Sequence, residues 1–215
     1  MTKIKICGLK RKEDIEIVNE FLPDYAGFVI NFPKSKRGIS SIEATELSRS
    51  LNREKIKAVG VFVDEPLESV AELLNDGTLD YAQLHGNEDE EYIKNLRNLV
   101  KKENFIIKAF KAEDLESLRK AKESTADFLL LDKGQGTGET FDWSVLETSE
   151  GKEIFNEIKT KGKWFLAGGL NEENLKAAIS KLKPWCVDLS SGAETNGFKD
   201  KEKVKRLIEI TRLEN

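Results

Sequence analysis

Histidine is almost absent from this sequence, since His85 is the only one among 215 residues. Histidine is the commonest proton donor and acceptor of enzymes near neutral pH, because its ordinary pKa lies there. If the chain is an enzyme, its proton chemistry must therefore depend mainly on cysteine, aspartate or glutamate.

Cysteine is scarce as well, and long apolar segments are missing. Two cysteines are too few for a disulfide framework in a chain of 215 residues. No run reaches the ~18 apolar residues of a membrane span, and residues 1–6 lack the apolar segment of a signal peptide. These absences predict a soluble protein of the reducing cytoplasm that does not enter a membrane.

The sequence also has no excess of positive charge. Its 35 lysines and arginines are outnumbered by 39 aspartates and glutamates, so nothing in the net charge of −4 favours nucleic acid. There is no linker or low-complexity segment, and α/β barrels often hold roughly 200–250 residues in one domain. We therefore expect a single catalytic domain over residues 1–215.

What the sequence does contain is a regular alternation of short β-rich runs with charged amphipathic runs. The β-rich runs lie at residues 3–7, 25–30, 56–63, 81–86, 105–110, 127–132, 163–169 and 185–192. Strict βα alternation predicts an α/β fold with a parallel sheet buried on both faces. Eight units favour a closed (β/α)8 TIM barrel over an open doubly wound sheet, and no Gly-x-Gly-x-x-Gly follows the first run.

In such a barrel the active site lies at the C-terminal ends of the strands. Glycine and serine follow the seventh and eighth runs, where barrels often bind phosphate through backbone N–H groups and hydroxyls. Either segment alone could be an ordinary turn, with Asn171 as a helix cap, but the two together predict a phosphate site. Its residues are Gly168, Gly169, Ser190, Ser191 and Gly192.

Cys7 ends the first run, which places it at the mouth of the barrel. Lys5 has the same parity, so it should point inward below Cys7 and lower the pKa of the thiol. Alternatively, Cys7 is a small buried hydrophobic residue and Lys5 only pairs with an inward carboxylate such as Asp188. Cys186 lies within a run and is expected in the core. No Cys/His spacing predicts a metal site.

Three other candidates lie at strand ends. Asp132 closes an apolar run, so it is either an acid/base group whose pKa an apolar setting would raise or a cap. The glycine-rich loop after it, residues 133–138, is a lid or a turn. Arg37 is either solvated or holds a carboxylate through its two parallel N–H groups. His85 is a structural residue or a wall of the pocket.

Several motifs, in order from residue 3 to about 200, resemble those of one enzyme family. They are Lys5-Ile6-Cys7-Gly8-Leu9, Phe32-Pro33-x-Ser35-x-Arg37, Gln83-Leu84-His85-Gly86, Leu130-Leu131-Asp132, Thr140-Phe141-Asp142-Trp143, Ala167-Gly168-Gly169-Leu170 and Val187-Asp188-Leu189-Ser190-Ser191-Gly192-Ala193-Glu194. One motif alone would be weak, but the ordered set is similar to the phosphoribosylanthranilate isomerases across nearly the whole chain.

The resemblance implies a small (β/α)8 barrel of tryptophan biosynthesis. It implies an Amadori rearrangement of a phosphorylated small molecule, N-(5-phosphoribosyl)anthranilate, without metal or organic cofactor, by a monomer or homodimer with no nucleic-acid or membrane partner. Cys7 would be the general base and Asp132 the general acid. Arg37 would hold the anthranilate carboxylate, His85 and Asp188 would also contact substrate, and the last two loops would hold the phosphate.

There are three alternatives to this function. A histidine-pathway aminoaldose–ketose isomerase catalyses a similar reaction with two aspartates, so Cys7 and the short chain argue against it. A non-catalytic barrel that binds sugar phosphates needs neither Cys7 nor Asp132. No residue pattern demands the flavin or nicotinamide of a redox barrel enzyme.

Overall fold

A computed structural model describes residues 1–133 and 144–214, apart from the side chains of Ser144 and Glu147. Within these residues, eight parallel strands alternate with helices in the predicted order. The strands are β1 (Lys3–Cys7), β2 (Tyr25–Ile30), β3 (Lys57–Phe62), β4 (Tyr81–Leu84), β5 (Phe105–Lys111), β6 (Phe128–Asp132), β7 (Trp164–Ala167) and β8 (Cys186–Leu189).

The sheet closes on itself. Each of the eight strands pairs in parallel with its neighbours in the chain, and β1 pairs with both β2 and β8. Lys5 of β1 lies opposite Tyr25 on one side and Asp188 on the other. This closure confirms the predicted (β/α)8 barrel and excludes the open sheet. Asp188 is thereby brought beside Lys5, although 183 residues separate them.

Helices cover the outside of the barrel. They are α1 (Lys12–Phe21), α2 (Ser41–Arg49), α3 (Leu67–Asn75), α4 (Glu90–Leu99), α5 (Leu115–Glu123), α6 (Ser144–Glu147), α7 (Ser149–Lys161), α8 (Leu175–Leu182) and α9 (Lys201–Leu213). Ser40 caps α2 in a capping box with Glu43. In the described part of the chain, no helix is long and apolar enough to cross a membrane.

The structure adds three small elements that the alternation does not predict. A two-residue strand, Gly38–Ile39, pairs with the end of β2. After β8 come a single 3₁₀ turn, Ser191–Ala193, and an antiparallel hairpin of Glu194–Thr195 with Phe198–Lys199. The hairpin brings new side chains to the mouth of the barrel.

The interior of the barrel is apolar at one end and polar at the other. Aromatic rings with centroids about 5–6 Å apart fill the end at which the strands begin. These rings belong to Tyr25, Tyr81, Phe105, Phe128, Phe165 and Trp185. Cys186 is fully buried beside them, which confirms its predicted place in the core. The buried polar side chains Lys5 and Gln83 lie further along the strands, towards the mouth.

Candidate active site

A cavity of about 600 Å³ opens at the C-terminal ends of the strands. It brings together nine of the ten predicted site residues; those that line it are Cys7, Arg37, His85, Asp132, Gly168, Gly169, Asp188, Ser190 and Ser191. The tenth, Gly192, is not among the residues that line the cavity. A Cβ there would stand 2.0 Å from the carbonyl oxygen of Leu170, so this glycine lets the two predicted phosphate loops pack together.

Cys7 lies above a buried ammonium group. Nζ of Lys5 is 3.3 Å from the Cys7 sulfur, 2.8 Å from Oδ2 of Asp188 and 2.6 Å from Oε1 of Gln83. An ammonium has three N–H donors, so these acceptors use all of them. Lys5 therefore pairs with Asp188, the predicted carboxylate, and also contacts the thiol.

Burial dominates the pKa of Cys7. For Lys5, burial would lower the pKa, but the Asp188 carboxylate and Cys7 outweigh it, and the group stays charged with a raised pKa. For Cys7, burial raises the pKa of the thiol, and the Lys5 ammonium offsets this only in part. The expectation of a thiol with a lowered pKa is therefore wrong in its net direction, although Lys5 acts in the predicted sense.

The raised pKa predicts slow alkylation of Cys7 at neutral pH. Iodoacetamide reacts with the thiolate, so the alkylation rate should rise with pH and reach half its maximum at a higher pH than in a free cysteine peptide. Mass spectrometry of the modified peptide gives the rate. Cys186→Ala should leave the profile unchanged, because Cys186 is fully buried in the core. A half-maximal alkylation rate at or below the pH found for the free peptide would contradict the conclusion that burial outweighs Lys5 in setting the pKa of Cys7.

Asp132 ends β6, which is separated from β1 by β7 and β8 on the shorter side of the barrel. Its Oδ2 is 3.4 Å from Nε2 of His85. Gly168, with φ of +96°, allows a close approach on the other side, where a Cβ would lie 2.8 Å from Oδ1 of Asp132. Gly168 thus makes room for the carboxyl as well as lining the predicted phosphate site.

Arg37 is held in place by Glu194, for which the sequence predicts no role. Its Nε and Nη2 each donate to a different oxygen of Glu194, at 2.7 Å. The same carboxylate accepts from the buried Lys199 at 2.6 Å. Burial would raise the pKa of Glu194, but Arg37 and Lys199 outweigh it and hold that pKa below its usual range. The Arg37 side chain therefore belongs to the cavity wall and is not a solvated loop residue.

Glu194 and Lys199 lie on the hairpin after β8, and the sequence did contain a signal for it. Asn196 and Gly197 occupy the turn with φ of +53° and +79°, and Asn-Gly between short strands is a strong hairpin signal. In the loop after β7, Oδ1 of Asn171 accepts from the backbone N–H groups of Glu173 and Asn174. The N-cap of α8 is Asn174, so Asn171 is not the helix cap of the ordinary-turn interpretation. Gly168 and Gly169 of the same loop line the cavity.

Two sequence interpretations lie outside the described residues. One is the glycine-rich loop, of which 134–138 fall there. The other is the Thr-Phe-Asp-Trp motif at 140–143. The site geometry above rests on the residues on either side of them.

Comparison with known proteins gives one consistent result. A profile of the N-(5'phosphoribosyl)anthranilate (PRA) isomerase family matches residues 4–210. The N-(5'-phosphoribosyl)anthranilate isomerase of Thermoanaerobacter sp. (strain X514) is 45% identical over 99% of this chain and 98% of its own.

Solved structures agree. A phosphoribosyl anthranilate isomerase in complex with reduced 1-(o-carboxyphenylamino)-1-deoxyribulose 5-phosphate superposes with a TM-score of 0.81 at 31% identity, over 99% of both chains. Monomers of the dimeric isomerase from Thermotoga maritima superpose with a TM-score of 0.80 at 30% identity, again over 99% of both chains. The fold, the length of the match and the identity together confirm the resemblance seen in the motifs. The chain belongs to the phosphoribosylanthranilate isomerase family, a family of enzymes of tryptophan biosynthesis.

Proposed function

We propose that this chain converts N-(5-phosphoribosyl)anthranilate into 1-(2-carboxyphenylamino)-1-deoxyribulose 5-phosphate, an Amadori rearrangement, with Cys7 and Asp132 as its proton carriers. The observation that carries these roles is that the two side chains line one cavity from β1 and β6. A thiol and a carboxyl on well-separated strands can reach two different atoms of one sugar. With a thiol and a carboxyl as proton carriers, the proposed reaction needs no histidine as its acid or base.

In the first step Asp132 acts as the acid. Its carboxyl gives a proton to the ring oxygen of the ribose, and the bond between that oxygen and C1 breaks. The lone pair of the anthranilate nitrogen forms a double bond to C1. The products of the step are an open-chain iminium cation and the Asp132 carboxylate.

In the second step Cys7 acts as the base. Its thiolate removes the proton from C2, and the electrons of that C–H bond form the C1=C2 double bond while the nitrogen becomes neutral. The resulting enolamine gives the proton of its 2-hydroxyl to the Asp132 carboxylate and gains a proton from solvent at C1, which gives the ketone and restores the acid. Each proton transfer by a positioned group contributes about 10²–10⁴-fold to the rate.

The raised pKa of Cys7 fits this order of steps. Burial raises the pKa of the thiol, and the Lys5 ammonium offsets this only in part. The iminium cation places a second positive charge next to C2. We therefore propose that the Cys7 thiol gives its proton to solvent as the ring opens, so that the thiolate is present when the C2 proton has become acidic.

The remaining cavity residues suit the two anionic ends and the hydroxyls of the substrate. The loops after β7 and β8 would bind the phosphate, and Arg37 would bind the anthranilate carboxylate through its remaining N–H groups. Oδ1 of Asp188 is buried and accepts no hydrogen bond from the described residues. We propose that it accepts one from a sugar hydroxyl, since an unpaired buried acceptor costs about 1–3 kcal/mol.

The proposed activity is tested with the wild-type chain. Phosphoribosylanthranilate is fluorescent, and its loss should follow enzyme concentration when the purified protein is added. A folded protein that binds the reduced product analogue in calorimetry without turnover would support the binding-barrel alternative instead. We further propose a cytoplasmic location, because the proposed base is a free thiol, and a monomer or homodimer.

Arg37→Ala should mainly weaken substrate binding. Hydrogen bonds to charged groups contribute about 1.5–3 kcal/mol, so KM should rise about 10–100-fold with a smaller change in kcat. Glu194→Gln should raise KM by a lesser factor, because it keeps the side-chain shape but weakens the hold on the guanidinium.

Steady-state kinetics measures both variants, and Arg206→Ala provides the control. Arg206 is exposed and pairs with Glu172 on the outer surface, so its removal should leave KM unchanged. An Arg37→Ala variant with unchanged KM would show that the substrate carboxylate binds elsewhere.

A further inference from the structure

A series of close contacts connects the proposed base to the proposed acid. It runs from the Cys7 sulfur to Nζ of Lys5 at 3.3 Å, and from there to Oε1 of Gln83 at 2.6 Å. Nε2 of Gln83 is 2.9 Å from Nδ1 of His85. Nε2 of His85 is 3.4 Å from Oδ2 of Asp132.

The donor and acceptor roles along this series are fixed by chemistry. The Lys5 ammonium can only donate, so the Gln83 atom that faces it must be the carbonyl oxygen. Turning the amide over would bring two donors together in a place where Gln83 is 1% exposed. The NH2 group of Gln83 therefore faces His85, and because NH2 can only donate, Nδ1 must be the acceptor.

An imidazole whose Nδ1 accepts a hydrogen bond carries its proton on Nε2. We propose that Gln83 is a positioning residue that holds His85 as the neutral Nε2–H tautomer and so directs an N–H donor at the Asp132 carboxyl. This N–H stabilises the negative charge that forms on Asp132 when the carboxyl gives up its proton. The benefit for catalysis rests on the proposed function, whereas the tautomer does not.

The tautomer can be read directly because the chain has a single histidine. Long-range ¹H–¹⁵N correlation spectra of ¹⁵N-labelled wild-type protein at neutral pH show which ring nitrogen is protonated. We expect the Nε2–H pattern. A ring protonated on Nδ1, or on both nitrogens, would overturn the inference whether or not the protein is active.

The variant Gln83→Glu tests whether Gln83 sets the tautomer of His85. A carboxylate in this place presents an oxygen acceptor to Nδ1, so the ring proton should move there from Nε2. We expect the imidazole signals to change to the neutral Nδ1–H form. Because Nε2 can then no longer donate to Asp132, kcat should fall on the order of 10–100-fold, with little change in KM. An imidazole that keeps the wild-type pattern in Gln83→Glu would show that Gln83 does not set the tautomer.

The matched control is Asn52→Asp, the same amide-to-acid exchange at an exposed position before β3. It should leave both the imidazole signals and kcat unchanged. If Gln83→Glu does not fold, the wild-type spectrum still decides the tautomer. If the wild type shows Nε2–H but does not turn over phosphoribosylanthranilate, the proposed function fails while this inference stands.

Discussion

Replacement of Cys7 by alanine is expected to lower kcat by about 10²–10⁴-fold, because it removes the base that takes the C2 proton. The fold should survive the change. Cys7 lines the cavity, and Lys5 keeps Gln83 and Asp188 as acceptors when the sulfur is gone. KM should change little, since none of the proposed anion contacts involves the thiol.

The loss of phosphoribosylanthranilate fluorescence measures turnover, and thermal unfolding measures stability. Cys186→Ala is the matched control, because it removes the other thiol from the fully buried core below the site. It should cost some stability and leave kcat near the wild-type value. Wild-type-like turnover in Cys7→Ala would contradict the proposed mechanism.

The barrel could be predicted from the sequence because its determinants are local. Each strand is an apolar run bounded by turn residues, and each helix has a polar outer face, so the period of the pattern reveals both. Once the barrel is known, position at a strand end identifies the mouth. That rule places Cys7 and Asp132 at the mouth, as residues at the ends of β1 and β6, whereas their roles as base and acid come from the resemblance to the family.

The electrostatics of the site could not be predicted in the same way. The sequence shows that Lys5 and Cys7 share a strand face, but the net pKa of the thiol depends on how deeply both groups are buried. That burial results from the packing of the whole barrel. The two oxygen acceptors of Lys5 come from β4 and β8, 78 and 183 residues away.

The pair of hydrogen bonds that positions Arg37 is also a long-range contact. Glu194 is 157 residues from Arg37 and reaches it only because the hairpin after β8 turns back over the mouth. The regular alternation of strands and helices describes the repeating part of the chain. Irregular segments such as this hairpin break the period, so their own turn signals must be used, as the Asn196-Gly197 pair illustrates.

Replacement of Asp132 by asparagine is expected to lower kcat by about 10²–10⁴-fold, because an amide cannot give a proton to the ring oxygen. Asparagine has nearly the shape of aspartate, so the cavity and the contact with His85 should be preserved. Asp114→Asn is the matched control. Asp114 is the N-cap of α5 and accepts from the backbone N–H of Ser117, a role that asparagine fills equally well.

The isotope effect of deuterium at C2 separates the roles of the two residues. If Asp132 is the acid, its loss makes ring opening rate-limiting, and C2 deuteration should have almost no effect on the residual rate of Asp132→Asn. If Cys7 is the base, its loss makes removal of the C2 proton rate-limiting, and the same deuteration should slow Cys7→Ala strongly. A strong isotope effect in Asp132→Asn would assign proton removal from C2 to Asp132 and reverse the two roles. Equal effects in both variants would mean that ring opening and proton removal are not separate steps, each assisted by one residue.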